Sequence, residues 1–164
     1  MARTSRGGGG EREAARALGS LVHRALAAGA LTASDADRMA QIGNAIDAII
    51  ALVDAAAGHA GPEVRAQAVA AVARLAARGD IAELISGSDV QHEVPFSWKD
   101  GDGTTLRAVV DAVVRRPDGR VTLLEFKTGA ARDADARQLA SYVQGMRHLL
   151  PESAVDGRII RLDE

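Results

Sequence analysis

The segment "VTLLEFKTG", residues 121–129, decides the fold because it changes from apolar to charged within one strand. Side chains alternate across a strand, so Val121 and Leu123 share a face with Glu125 and Lys127. That face changes character over about 7 Å. We expect such a change either where an edge enters solvent or at the mouth of a site.

The neighbouring segments predict the rest of a small sheet. Upstream, "VQHEVPFSW" (90–98) and "TTLRAVVDAVVRR" (104–116) alternate with period two and are bounded by "DGDG" and "PDG" turns. Downstream, "DADARQLASYVQGMRHLL" (133–150) predicts a helix, and "GRIIRLD" (157–163) predicts a final strand. The sequence therefore predicts an α+β fold with a small mixed central sheet flanked by helices.

The first half of the chain predicts an N-terminal helical region. It is rich in alanine, while all four aromatic residues follow position 95. Residues 1–10 read as a flexible linker or tag. Helices are expected up to Gly29, from Ser34 and after Gly61, and residues 80–89 read as a short connector. The expected buried positions are Leu18, Leu21, Val22, Ala25 and Leu26 on the first helix, and Met39, Ile42, Ile46, Ile49 and Val53 on the second.

Composition excludes several classes of protein. The 164 residues include no cysteine, which excludes disulfides, thiolate zinc sites and iron–sulfur clusters. No apolar run approaches the roughly 20 residues of a membrane span, so we expect a cytoplasmic protein with no membrane partner. The net charge is −2, so phosphate binding must depend on local basic patches or on a bound metal.

Two acids are expected to lie side by side. If the hairpin turn is centred on Asp118, Asp111 lies opposite Glu125, with Cβ atoms roughly 5 Å apart. Asp111 lies within the apolar run "AVVDAVV", where two like charges at about 4 Å repel by about 4 kcal/mol at an effective dielectric near 20. Lys127 supplies one positive charge, and a divalent metal would complete the balance. Oxygen ligands of this kind favour Mg²⁺ or Mn²⁺.

A solvated salt-bridge cluster on an exposed sheet face is the alternative interpretation. Two observations favour a site: the apolar flanks of Asp111, and the scarcity of lysine in this chain. Only Lys99 and Lys127 are lysines among the 20 lysine and arginine residues.

These residues resemble a known signature. Asp111, followed by "EFK" at 125–127, resembles the PD-(D/E)xK nuclease superfamily. Three further segments resemble its RecB/AddA-type branch: "GSLVH" (19–23), "EVPF" (93–96) and "QLASY" (138–142). One position departs from the pattern, because Ala108 stands where relatives commonly have glycine.

The resemblance implies roles for particular residues. Asp111, Glu125, the main-chain carbonyl of Phe126 and His23 would be metal ligands. Lys127 would orient the attacking water and stabilise charge on phosphorus. Gln138 and Tyr142, one helical turn apart, would face the site from their helix.

The resemblance also implies a function and a context. Residues 11–164 would form a single nuclease domain with a restriction-endonuclease-like core, in which 31–80 is a helical lid or insertion. The expected activity is Mg²⁺- or Mn²⁺-dependent cleavage of DNA during double-strand-break repair. The expected partner is a superfamily 1 helicase motor, or helicase domains of a longer protein, since "GxxxxGK[ST]" is absent. The alternative is a catalytically weak or inactive module that binds DNA or docks on a helicase.

Overall fold

The computed structural model of the chain describes residues 8–29, 44, 47–48, 62–128 and 130–162. Its described helices are α1 (Gly8–Ala27), α2 (Pro62–Ala76), α3 (Gly79–Ile85) and α4 (Asp133–Leu149). Its described strands are β1 (Asp89–Lys99), β2 (Thr105–Arg115), β3 (Val121–Lys127) and β4 (Val155–Arg161). The buried positions expected on the helix after Ser34 (Met39, Ile42, Ile46, Ile49 and Val53) lie outside the described residues.

The four strands form one mixed sheet in the order β1-β2-β3-β4. Strand β2 is antiparallel to both β1 and β3, whereas β3 and β4 are parallel. Parallel neighbours need a long crossover connection, and α4 supplies it. Helices combined with a small mixed sheet confirm the predicted α+β class.

The β2–β3 register is the one predicted from a turn at Asp118. The pairs are Ala112 with Leu124, Val113 with Leu123, Val114 with Thr122 and Arg115 with Val121. Asp111 and Glu125 come one position beyond the last of these pairs. The two acids therefore lie on neighbouring strands at the same level of the sheet.

One apolar core forms where α4 contacts β1, β3 and β4. Its buried members are Val110, Val113, Val121, Leu123, Leu139, Met146 and Val155. Helix α4 approaches the sheet closely at Gly145, where a Cβ atom would collide with the indole ring of Trp98. The core fixes α4 over the face of β3 that carries Glu125 and Lys127, because side chains alternate along β3.

Helix α3 was not expected from the sequence. Residues 80–89 were predicted to be a connector, but Gly79–Ile85 are helical, with Ile81 and Leu84 buried. Two buried residues three apart are too few to show a helical period, and Ser86 and Gly87 follow at once.

The chain divides into two compact units, Met1–Arg74 and Leu75–Glu164. In the first unit, α1 begins at Gly8 and buries four of the five apolar positions predicted for it, Leu21, Val22, Ala25 and Leu26, while Leu18 is only half-buried. The second unit contains the whole sheet and α4. The expected linker over 1–10, single domain over 11–164 and lid over 31–80 stay predictions. None of the helices in the described ranges is long and apolar enough to cross a bilayer.

Candidate metal centre and active site

The alternation of side chains between the two faces of the sheet shifts by one residue at Glu93 in β1 and at Asp111 in β2. The ladder between the two strands is interrupted at this pair, and Glu93 has a φ of 50°, a conformation that residues with a side chain rarely adopt. Val110 and Val113 pack in the same core, although residues three apart point to opposite faces of a regular strand. The alternation of β2 therefore shifts by one residue next to Asp111.

The carboxylate of Asp111 reaches towards β3. Its Oδ2 accepts a hydrogen bond of 2.7 Å from the main-chain N–H of Phe126. Paired residues of β2 and β3 end just before this point, so the carboxylate acts where a carbonyl of β2 would act in a longer ladder. The bond holds the Asp111 carboxylate next to Glu125, as the predicted register requires.

Glu125 is a buried carboxylate with one unused oxygen. The residue is 3% exposed, and its Oε2 lies 2.9 Å from the Lys127 Nζ. Its Oε1 is buried and has no hydrogen-bond partner among the described residues. Burial, and then the nearby charge of Asp111, raise the pKa of Glu125, while Lys127 partly opposes them. An unpaired buried oxygen costs free energy unless another positive group binds it.

Lys127 is a charged side chain held at the open end of this cluster. Its side chain is 24% exposed. Burial alone would lower the pKa of Lys127, but the hydrogen bond from its ammonium group to Glu125 and the charges of Glu125, Asp111 and Asp135 raise it. The ammonium group therefore stays protonated over the whole physiological pH range.

The chemistry of these donors fits a hard divalent cation. One carboxylate oxygen of Glu93 and one of Asp111 lie within 4.8 Å of each other. With the unused oxygen of Glu125, the second unit offers carboxylate oxygens on three neighbouring strand positions, which is the donor type that Mg²⁺ and Mn²⁺ prefer. The carboxylates of Glu93 and Asp111, at this separation, also repel each other unless a positive charge lies between them.

Glu93 is the residue of this cluster to which the sequence assigned no role. It was part of the "EVPF" match only. The signal that could have identified it is the acid itself, which lies in the strand next to the one that carries Asp111. Its position depends on a positive φ, which alternation alone cannot predict.

Gln138 and Tyr142 lie together on α4, as predicted. The Nε2 of Gln138 donates a hydrogen bond of 2.6 Å to the Tyr142 hydroxyl. The Tyr142 ring contacts Phe96 edge to face, with centroids 5.7 Å apart. In the part of the chain that is described, neither side chain bonds to an acid of the cluster or to Lys127, so their catalytic roles stay predictions.

Two other expected ligands also stay predictions. His23 lies on α1 in the first unit and is half-buried. Phe126 is buried within β3 and donates its N–H to Asp111, while its carbonyl is the expected ligand.

His92, to which the sequence assigned no role, precedes Glu93 on β1. Burial lowers the pKa of His92, and the nearby Asp111 partly offsets this.

A mixed sheet with acids on adjacent strands, an adjacent lysine and a helix packed over them defines a restriction-endonuclease-like α+β fold. The chain belongs to the PD-(D/E)XK nuclease superfamily, whose family model matches residues 2–163. Members of this superfamily are usually nucleases that use divalent metal ions.

Similarity to other proteins is distant. No curated protein matches the chain. Among solved structures, protein VC1899 from Vibrio cholerae is 16% identical, with a TM-score of 0.39. The similarity covers 92% of this chain and 43% of that protein, so the chain spans less than half of its length.

Proposed function

We propose that the chain is a metal-dependent deoxyribonuclease of the RecB/AddA-type branch, which hydrolyses phosphodiester bonds with Mg²⁺ or Mn²⁺. The observation that carries the proposal is the buried Glu125, whose Oε1 has no partner among the described residues although Asp111 and Lys127 lie beside it. A carboxylate cluster that served only stability would have its oxygens hydrogen-bonded.

Asp111, Glu125 and the carbonyl of Phe126 would hold the metal, and we add Glu93 to this set because its carboxylate lies near that of Asp111. His23 is the remaining proposed ligand. A bound divalent ion supplies charge neutralisation at the phosphodiester and a lower pKa for water.

The protein's own groups have separate tasks in this reaction. Lys127 carries a positive charge at all relevant pH values, so it can orient the attacking water and stabilise negative charge that develops on the phosphoryl oxygens. Its Nζ is itself fixed by the 2.9 Å contact with Glu125. The hydrogen bond from Phe126 fixes the carboxylate of Asp111, so the negative charge of that acid has one position before substrate binds.

Gln138 and Tyr142 would orient the DNA backbone from α4. The Gln138 amide already donates to the Tyr142 hydroxyl, which leaves that hydroxyl able to donate to a phosphate oxygen. Both side chains lie on the helix that covers the charged face of β3.

The proposed cellular context is DNA double-strand-break repair in the cytoplasm, with a helicase motor as partner or as part of a longer chain. The support for it is the order of the four matched segments, "GSLVH", "EVPF", Asp111 with "EFK", and "QLASY". Co-purification of a helicase with the tagged chain, and stimulation of cleavage by that helicase, would support this context.

Cleavage of labelled linear DNA in Mg²⁺ or Mn²⁺ tests the proposed activity. The full chain should degrade DNA, chelator should abolish the reaction, and Asp111→Ala and Lys127→Ala should both be inactive. Arg120→Ala, an exposed change at the β2–β3 turn, is the control and should retain activity. Activity that survives both Asp111→Ala and Lys127→Ala would eliminate the assignment. Metal-dependent stabilisation without any cleavage would favour the module that binds DNA or docks on a helicase.

A further inference from the structure

Two cations lie side by side at the ends of the parallel strands β3 and β4. Lys127 and Arg161 are register partners and are the last residues of their strands. The main-chain N–H of Leu162 donates to the carbonyl of Lys127 at 3.1 Å, which ties the two strand ends together. Two residues earlier, Ile159 pairs with Glu125 and packs against the core under α4. Because side chains alternate along a strand, Arg161 shares the face of Glu125 and Lys127, on a strand about 4.8 Å away.

Arg161 is bound by an acid of the covering helix. Its Nη2 lies 3.4 Å from the Oδ2 of Asp135, which belongs to the first turn of α4. The two side chains are 12% and 17% exposed, so solvent screens their attraction less than it screens an exposed ion pair. Removing one partner of such a pair leaves a poorly solvated charge without compensation. Asp135 without Arg161 would therefore attract another cation within reach.

Lys127 is the cation that Asp135 would attract. The charge of Asp135 is one of the causes that raise the pKa of Lys127, so the two groups lie close enough to interact. The Lys127 ammonium group nevertheless contacts Glu125, with Nζ 2.9 Å from Oε2. A lysine side chain rotates about several bonds and can turn from one acid to another. Two acids therefore compete for this ammonium group, and Arg161 binds one of them.

We propose that Arg161 is a positioning residue of the active site, which binds Asp135 and thereby keeps the Lys127 ammonium group on Glu125. The positive charge of Arg161 acts in the same direction, because like charges on neighbouring strands repel each other. A displacement of about 1 Å in a group that orients a reactant can cost about 10²-fold in rate. This inference rests on the proposed function, because it adds a residue to the machinery of the same reaction.

The position of the Lys127 ammonium group can be measured without any cleavage. The only lysines in the chain are Lys99 and Lys127, so lysine labelled with ¹³C at Cε gives two resonances, which Lys127→Met assigns. Nuclear Overhauser contacts of the Lys127 ε-protons are recorded in chelator. In wild type we expect contacts to the γ-protons of Glu125. In Arg161→Met these should weaken, and contacts to the β-protons of Asp135 should replace them.

A second substitution separates this effect from a general loss of packing. When Arg161→Met is combined with Asp135→Asn, no unpaired acid competes for the ammonium group, so its contacts with Glu125 should return. Arg161→Gln, which is also uncharged, replaces Arg161→Met if that variant does not fold. Identical Lys127 contacts in wild type and in the folded uncharged variant would overturn the proposal.

Single-turnover cleavage of linear DNA in Mn²⁺ measures the effect on rate. Arg161→Met should lower kcat by about ten-fold or more, with unchanged Mn²⁺ binding, because the ammonium group is misplaced. Asp135→Asn, alone or combined with Arg161→Met, should stay within about three-fold of wild type. Arg161→Lys keeps the charge and should also stay within about three-fold. The matched control is Arg158→Met, the same change at an exposed position of β4, which should cleave at the wild-type rate.

A structural ion pair gives a different pattern. It would make Arg161→Met and Asp135→Asn equally harmful to kcat, and that outcome would contradict the positioning role. The second check is Arg161→Met in the Lys127→Met background, where it should cost no more than about two-fold, because Arg161 acts through the ammonium group that is already absent. Losses that multiply in full would show that Arg161 acts independently of Lys127, and the proposal would fail.

The two proposals fail separately. A chain that cleaves DNA equally well with Arg161→Met keeps the nuclease function and loses the positioning role of Arg161. A chain that never cleaves, but whose Lys127 contacts move from Glu125 to Asp135 in Arg161→Met, keeps the control of Lys127 by Arg161 and loses the nuclease function.

Discussion

The Oδ2 of Asp111 accepts a 2.7 Å hydrogen bond from the main-chain N–H of Phe126, the residue between Glu125 and Lys127. One side chain therefore fixes the spacing between the two strands that carry the charged groups. The same carboxylate has two functions, because it ends the β2–β3 ladder and supplies a proposed metal ligand.

These two functions of Asp111 can be separated by a matched pair of substitutions. Asparagine keeps an oxygen that can accept the Phe126 N–H, whereas alanine removes it. We expect Asp111→Asn to fold with nearly wild-type thermal stability in chelator, and Asp111→Ala to lose about 1.5–3 kcal/mol in free energy of unfolding, the range for a hydrogen bond to a charged group. Both should abolish Mn²⁺-dependent cleavage. Equal stability of the two variants in urea unfolding would show that the hydrogen bond contributes nothing.

Lys127 should affect the reaction more than metal binding. Removing an electrostatic donor to the developing charge costs about 10²–10³ in kcat. Lys127→Met retains the aliphatic stem, so we expect that loss in single-turnover cleavage while calorimetry still detects Mn²⁺ binding. Arg120→Ala at the hairpin turn is the charge-matched control. A variant that cleaves at the wild-type rate would exclude Lys127 from the reaction.

Glu125 should make the metal-free protein less stable as pH rises. Burial and Asp111 raise its folded pKa above the unfolded value, so the folded state binds the proton more tightly. The resulting stabilisation is fully present below the unfolded pKa and is lost as pH rises through the folded pKa. In chelator, Glu125→Gln should therefore gain stability relative to wild type across this interval and keep the gain at neutral pH.

The control for this experiment is Glu152→Gln, a change of the same kind at an exposed position. Its stability should follow that of wild type at every pH. In Mn²⁺ the order of Glu125→Gln and wild type should reverse, because only wild type binds the ion. If Glu125→Gln and wild type lose stability in parallel in chelator, Glu125 is not the group that titrates.

Glu93 combines backbone strain with a proposed ligand, and substitutions can distinguish them. A left-handed conformation costs a residue with a side chain about 1–2 kcal/mol, and glycine avoids that cost. We expect Glu93→Gly to be more stable than Glu93→Ala by about 1 kcal/mol in urea unfolding. Glu93→Gln keeps the size of the side chain and should weaken Mn²⁺ binding as much as glycine does. Unchanged Mn²⁺ affinity in all three variants would remove Glu93 from the ligand set.

The Gln138–Tyr142 pair should influence cleavage without affecting the metal. Tyr142→Phe keeps the ring that contacts Phe96 and removes only the hydroxyl that accepts from Gln138. We expect a roughly ten-fold loss of kcat/KM, equivalent to one lost hydrogen bond to a charged phosphate, and unchanged thermal stability. Wild-type kcat/KM in this variant would leave Tyr142 with a packing role only.

The sheet and its central register could be predicted from the sequence because they depend on local signals. Period-two alternation identified the strands, and the Asp-Gly turn at 118–119 fixed which residues face each other across β2 and β3. Leu123 and Glu125 share a face because they lie two residues apart in β3.

The rest of the site depends on features that local patterns do not encode. The shift of phase at Asp111 requires the positive φ of Glu93 and the packing of Val110 and Val113 on one core. A rule of strict alternation puts those two valines on opposite faces. Glu93 therefore had no predicted role, although its carboxylate lies near that of Asp111.

Diffraction data from crystals grown with Mn²⁺, measured at the manganese absorption edge, test the central claim most directly. We predict an anomalous peak within about 2.0–2.6 Å of carboxylate oxygens of Asp111 and Glu125, the usual range for divalent ions bound by oxygen. The Glu125 Oε1, buried and without a partner among the described residues, should be one of its ligands. A map with no peak between these two acids, from crystals in which manganese occupies another position, would contradict the account.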